Sequence, residues 1–184
     1  PWRWSAARTH AWENACALAT PCSDRVALLM GDDRPGAPLY LWIGEVQAGG
    51  GFLARNGLAV ARLYVWAAAN GDTTPEQFRG LGAQRPGGFV ALEAQVPSAA
   101  GETGHDAAGW RDASTLRAAA QALGAFSFAR PEDVHTDPQD GSRAVFASTG
   151  KGSLYPSDDW GTVYLVDVDF AGLACGAELP DVVP

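Results

Sequence analysis

The sequence predicts an all-β fold, a partial β-propeller of about two to four blades at the usual repeat length, with one short inserted helix. Three observations carry this expectation. Short runs rich in Val, Leu and aromatic residues recur along the chain, each bounded mostly by Gly, Pro or Asp. One meander-like segment near the start has a counterpart near the end. Helical periodicity, by contrast, is confined to one place.

The expected strands are RVALLM (25–30), LYLWI (39–43), RLYVWAA (62–68), GFVALEA (88–94), RAVFAS (143–148) and TVYLVDV (162–168). Strands in this order, without alternating helices, argue against a βαβ architecture. The helix is DASTLRAAAQALG (112–124), capped by Asp112 or Ser114 and stopped by Gly124. Leu116, Ala119, Ala120 and Leu123 make its apolar stripe. TTPEQF (73–78) reads as a helical turn with Thr74 as cap and Pro75 in first position. PSAAGETGHDAAG (97–109) is a polar, small-residue insertion, and GGG (49–51) a flexible hairpin.

The internal repeat places the first functional residues. The segment beginning WENACAL and the segment beginning PEDVHTD both open on Glu followed by Asn or Asp. Each then passes a Pro-containing turn, an Arg and an apolar strand closing on Gly, before an aromatic strand. Glu13 and Gly31 stand eighteen positions apart, as do Glu132 and Gly150. In a propeller, acids at equivalent places on different blades converge on the central channel. Carboxylates are costly to bury alone, and a shared cation compensates them.

Composition narrows the function classes. The 184 residues carry thirteen Lys and Arg against twenty-one Asp and Glu, a net charge of -8. Lys151 is the sole lysine, so the clustered cations that grip a nucleic-acid backbone are missing. No run approaches the ~18 apolar residues of a membrane span. Met30 is the only methionine, and the chain reads as an excerpt, residues 1–184 forming part of a larger single domain. Cys16 and Cys22 flank a spacer compatible with a short-loop disulfide, while Cys175 reads as a buried small hydrophobe. TGKGS (149–153) lacks the Ser or Thr of a phosphate-binding loop, DPQDG (137–141) lacks the spacing of a calcium loop, and there is no G-x-S-x-G elbow. The seven tryptophans read as packing residues, with Trp42, Trp66 or Trp160 available to line a groove.

Several stretches resemble the PhoX-type alkaline phosphatases and related secreted bacterial propellers. They are AWENACAL, DRVALLMGDDRPGAPLYLWIGE, NGLAVARLYVW and FSFARPEDVHTDPQDGSRAVFAST followed by WGTVYLVDVDF. The resemblance runs from about Trp12 to Phe170 and implies a six-bladed, calcium-dependent propeller that hydrolyses phosphate monoesters at a site of iron and calcium. It implies metal-ligand roles for Glu13, Asp32, Asp33 and Glu132, and a phosphate contact for Arg130, whose fork suits a phosphoryl group. It also implies a secreted or periplasmic location and a small phosphoester substrate. Trp12 stands where the family has His, and the family's Cys-Glu-Glu motif, which supplies the iron-bridging cysteine, has no match. A secreted, non-enzymatic propeller that uses calcium for rigidity is the alternative, and another propeller hydrolase is a third.

Overall fold

A computed structural model describes residues 12–184. Nine strands are present: β1 (Trp12–Leu18), β2 (Arg25–Asp32), β3 (Leu39–Glu45), β4 (Ala61–Ala68), β5 (Gly87–Leu92), β6 (Pro131–Thr136), β7 (Arg143–Ser148), β8 (Thr162–Asp167) and β9 (Val182–Val183). A four-residue helix, α1 (Phe52–Arg55), follows β3, and α2 (Ala113–Ala122) follows β5. Two antiparallel sheets result, one ordered β1-β2-β3-β4-β5-β9 and one ordered β6-β7-β8, and neither closes into a barrel. The six expected runs all become strands. The larger sheet does not break into separate four-stranded units, because five consecutive strands pair in sequence order.

The continuous apolar character of β3 has a direct explanation. Alternate side chains point to opposite faces of a strand, and both faces of this one are covered. Leu39, Leu41 and Ile43 join Leu29, Phe126, Phe128, Phe146 and Tyr164 in the core toward the second sheet. Tyr40 and Trp42 join Met30, Leu63, Val65, Leu116 and Ala120 in the core beneath α2. Asp112 caps α2, its carboxylate accepting from the Thr115 backbone N–H at 2.8 Å. Leu116 and Ala120 are buried, whereas Leu123 stands 43% exposed at the frayed end and leaves the apolar stripe.

Two expectations are corrected by the structure, the disulfide pairing and the GGG hairpin, and the C-terminal end proves to be tied down. The disulfide joins Cys22 to Cys175, while Cys16 is a free, half-buried thiol. The last residues do not hang free from the sheet. Val182 and Val183 pair with Val90 and Phe89, and Arg62 donates to the carbonyls of Leu179 and Pro180 at 2.8 and 3.2 Å. The buried Arg25 donates to Ala177 O at 2.6 Å, and Tyr64 donates to Pro180 O at 2.8 Å. The C-terminal segment is thus a strap, not an unpaired end. Finally, the GGG stretch leads into α1 instead of forming a hairpin.

The second sheet meets the first along β1 and the end of β2. Thr136 donates to Ala17 O at 2.6 Å, and Ala19 N donates to Gly141 O at 2.7 Å. At the crossing, a Cβ on Gly31 would lie 2.5 Å from the backbone oxygen of Glu132 and 2.7 Å from that of Pro131. Neither is the end of a flexible side chain, so only glycine lets β6 start this close to β2. Gly31→Ala is expected to cost about 1–3 kcal/mol, read as a lower denaturant midpoint at unchanged slope. Cys175→Ser, which frees the strap, is expected to cost about 2–5 kcal/mol in the same measurement.

Candidate functional site

The entry residues of the two meanders share a backbone irregularity. In β1, Trp12 pairs with Asp32 but Asn14 pairs with Gly31, so Glu13 is the extra residue of a bulge. In β6, Pro131 pairs with Ser148 but Val134 pairs with Phe146, so the register shifts across Glu132 and Asp133. A bulge bends the strand and re-aims a side chain out of the regular alternation. The sequence repeat therefore marks two bulged acids at equivalent positions.

Around them a charged cluster forms. Arg130 donates from Nε to Asp33 Oδ1 at 2.9 Å, and its Nη2 lies 2.8 Å from both Asp33 Oδ1 and Glu132 Oε1. Thr149 donates to Glu132 Oε1 at 2.6 Å, and the Arg130 backbone N–H donates to the buried Ser148 Oγ at 3.2 Å. The hydrogen bond to Asp33 pushes Arg130 upward, the charges of Glu132, Asp33 and, last, Glu13 add to it, and burial opposes it. Burial pushes the Glu132 carboxyl above its ordinary range, and the neighbouring Asp33 pushes the same way; Thr149 and Arg130 oppose this without cancelling it. One guanidinium thus serves two carboxylates, and Glu132 is left incompletely compensated.

Asp32 and Asp33 are adjacent in sequence but separated in space. Strand alternation turns Asp32 to the α2 face, where it is fully buried and Arg117 Nη1 donates to its Oδ2 at 3.0 Å. Its other oxygen has no hydrogen-bond partner among the described residues. Burial, then the Asp32 charge, push the Tyr40 phenol beside it far above its usual range. Asp33 lies past the strand end and faces Arg130. The structure therefore brings Asp33, Glu132 and Arg130 into direct contact, leaves Glu13 acting on Arg130 only through its charge, and places Asp32 in a buried ion pair on the opposite side.

Sequence reading overlooked Ser148, Thr149 and Arg117. Ser148 is directly across the ladder from Pro131, so the register of β6 on β7 was the signal that would have found it. On another face, an apolar groove of about 400 Å³ is lined by Asn14, Asp133, Val134, His135, Val145 and Val163. Asn14 and Asp133 each follow a bulged acid of the repeat, yet the cluster residues do not line this groove. Trp42 is buried with Nε1 donating to Gly57 O at 3.0 Å, whereas Trp160 is exposed.

A carboxylate–arginine cluster of this kind offers only hard oxygen donors to a cation, as calcium requires. It offers no sulfur. Cys16 packs against the core between the sheets, where burial pushes its thiol upward. Cys22 and Cys175 are taken by the disulfide.

No family model matches the chain, and no curated protein matches it. Among solved structures the chain is similar to Pseudomonas fluorescens PhoX in complex with vanadate, a transition state analogue. The TM-score is 0.59 at 20% sequence identity, covering 89% of this chain and 29% of that chain. That likeness establishes a fold relationship, and the chain spans less than a third of the PhoX chain's length. Among the described residues, no helix is long and apolar enough to cross a membrane.

Two outcomes follow from the charge placement. Because the Glu132 carboxyl is raised in the fold, its contribution to stability is present at low pH and lost as pH rises through the folded value. Glu132→Gln keeps an acceptor for Thr149 and removes that loss. Metal-free Glu132→Gln is therefore expected to match or exceed the wild type in thermal stability at neutral pH, with the advantage vanishing in acid. Arg117→Ala, which strands Asp32 as an uncompensated buried charge, is expected to cost about 3–5 kcal/mol in chemical unfolding.

Proposed function

We propose that this chain is part of a metal-dependent, phosphatase-like β-propeller that hydrolyses phosphate monoesters, with calcium as its cation. Glu13, Asp33 and Glu132 are assigned as carboxylate ligands, and Arg130 as the group that contacts the phosphoryl oxygens. Asp32 is assigned to the frame through Arg117. The observation that carries the reading is the bulged acid Glu132 meeting Asp33 on Arg130 while still short of compensation, with the repeat-equivalent bulged acid Glu13 adding its charge nearby. The fold relationship to PhoX supports the same reaction class.

The bound cation would supply charge neutralisation for the phosphoryl group. The chain's own residues set the geometry for it. Arg130 holds Asp33 and Glu132 through Nε and Nη2. Its Nη1 makes no hydrogen bond among the described residues and is available to a substrate oxygen, since a planar guanidinium fork matches phosphate. Thr149 fixes the Glu132 rotamer from one side, and Ser148 fixes the backbone of Arg130 from the other. The Arg130 side chain, 37% exposed, has room to turn toward a phosphoryl oxygen, and the carboxylates it holds would be the cation's ligands. The iron-bridging thiolate that the resemblance implies has no counterpart facing the cluster among the described residues.

A small phosphoester is the substrate class, and an acidic chain with one lysine argues against nucleic acid. The disulfide suits a secreted or periplasmic location. A second reading, a calcium-stabilised propeller without catalysis, is favoured by Trp12 in the family's His position and by the engagement of Arg130 with two acids.

The full-length parent is expected to cleave p-nitrophenyl phosphate in a calcium-dependent manner, with loss on chelation and a drop of at least about tenfold in Arg130→Ala. Calcium at 100 times its Kd is expected to stabilise the fold by about 2.7 kcal/mol, and Glu132→Gln to lose most of that shift. Calcium stabilisation without phosphatase activity selects the second reading; a full shift in Glu132→Gln removes the site altogether.

A further inference from the structure

The strap is tied down beside a second set of metal-capable groups, unrelated to the carboxylate cluster. Cys22 Sγ, Cys175 Sγ and a carboxylate oxygen of Asp24 all lie within 4.8 Å of one another. Asp24 Oδ2 accepts from the Gly176 backbone N–H at 2.9 Å and lies 3.4 Å from Arg25 Nη1. Its Oδ1 is buried and has no hydrogen-bond partner among the described residues. Asp24 therefore sets a carboxylate with one unpartnered oxygen beside the two sulfurs, and an unpaired buried oxygen is costly. Once the sulfurs are reduced, a divalent cation that accepts thiolates could take the carboxylate oxygen and both sulfurs together.

We propose that Cys22, Asp24 and Cys175 form a thiol-gated site for one zinc-like divalent cation, closed while the disulfide is intact and opened by its reduction. Reduction by a dithiol breaks the sulfur–sulfur bond. The two electrons come from the dithiol, which leaves as its own disulfide, and each cysteine sulfur gains a proton. Metal binding then expels both protons and leaves two thiolates and the Asp24 carboxylate as ligands. This gives three protein donors and one open position, a recurring zinc arrangement.

The surroundings are suited to it. Thiolates select zinc over calcium, so this site and the carboxylate cluster take different ions. Three anionic ligands exceed the charge of a divalent cation by one, and the buried Arg25 guanidinium supplies the difference; Glu45, 4.0 Å from Arg25 Nη2, is the other nearby acid. The ligand-bearing loops are held by bonds that do not depend on the disulfide. Val46 N donates to Asp24 O at 2.9 Å, Arg25 N donates to Cys22 O at 3.2 Å, and Arg25 Nη2 donates to Ala177 O at 2.6 Å. The metal would thus replace the covalent tie of the strap with a coordinate one.

The test uses the whole chain carrying Cys16→Ser, which removes the third thiol. The protein is titrated with zinc chloride against a chromophoric chelator, before and after a phosphine reductant that takes the disulfide to two thiols, water supplying the oxygen of its oxide. The oxidised protein is expected to bind none at the strap and the reduced protein about one equivalent. Adding Asp24→Asn is expected to weaken binding by at least about tenfold, and replacing Cys22 and Cys175 by Ser to abolish it. If reduction unfolds the protein, zinc is expected to restore its far-ultraviolet circular dichroism. Equal uptake in the oxidised and reduced forms overturns the proposal. So does uptake that survives loss of Cys22 and Cys175, or reduced protein that neither binds zinc nor refolds with it.

Discussion

The architecture depends on one close approach. Where β6 begins, the chain crosses the end of β2 at Gly31, and the backbone oxygens of Pro131 and Glu132 occupy the volume a side chain there would need. Sheet-on-sheet packing fills the interior with Leu29, Leu41, Phe128 and Phe146. It is the missing Cβ, however, that decides where β6 starts relative to β2. That placement brings the acid just past β2, Asp33, within reach of the arginine just before β6, Arg130.

From that crossing the chemistry follows in steps. Two bulges lift Glu13 and Glu132 out of the alternation that would otherwise commit them to one face or the other. The resulting cluster sets Asp33 and Glu132 on a single guanidinium, and burial makes the Glu132 charge costly to sustain. Asp32 shows the opposite solution: full burial, one dedicated arginine and a place in the frame beneath α2. Two neighbouring aspartates thereby serve stability and the candidate site separately.

Much of the strand layout was legible because it rests on local composition. LYLWI and RLYVWAA carry the β-branched and aromatic residues that two covered faces demand. The strands bearing the site were harder to see. WENACAL and PEDVHT hold Glu13, Asn14, Glu132, Asp133 and His135, a polarity that suits bulged or partly exposed strands and hides the period-two pattern. The repeat and the resemblance pointed to them. The separation of Asp32 from Asp33 turned on the residue at which β2 ends, a boundary that composition does not define. The Cys22–Cys175 bond spans 153 positions, and nothing local announces that the strap returns to β5. Such pairings are decided by tertiary structure alone.

In the proposed function, Asp33 and Glu132, with Glu13, share a cation at the place the Arg130 guanidinium occupies. Proton release on calcium binding tests it most directly, because a carboxyl raised by burial must lose its proton when the metal arrives. Calorimetric titrations in buffers of different ionisation enthalpy, over a range of acidic pH, measure that release. The account predicts a release that grows as pH falls toward the raised Glu132 value and is lost in Glu132→Gln. Calcium binding with no proton release at any pH, or with the same release in Glu132→Gln, would contradict it.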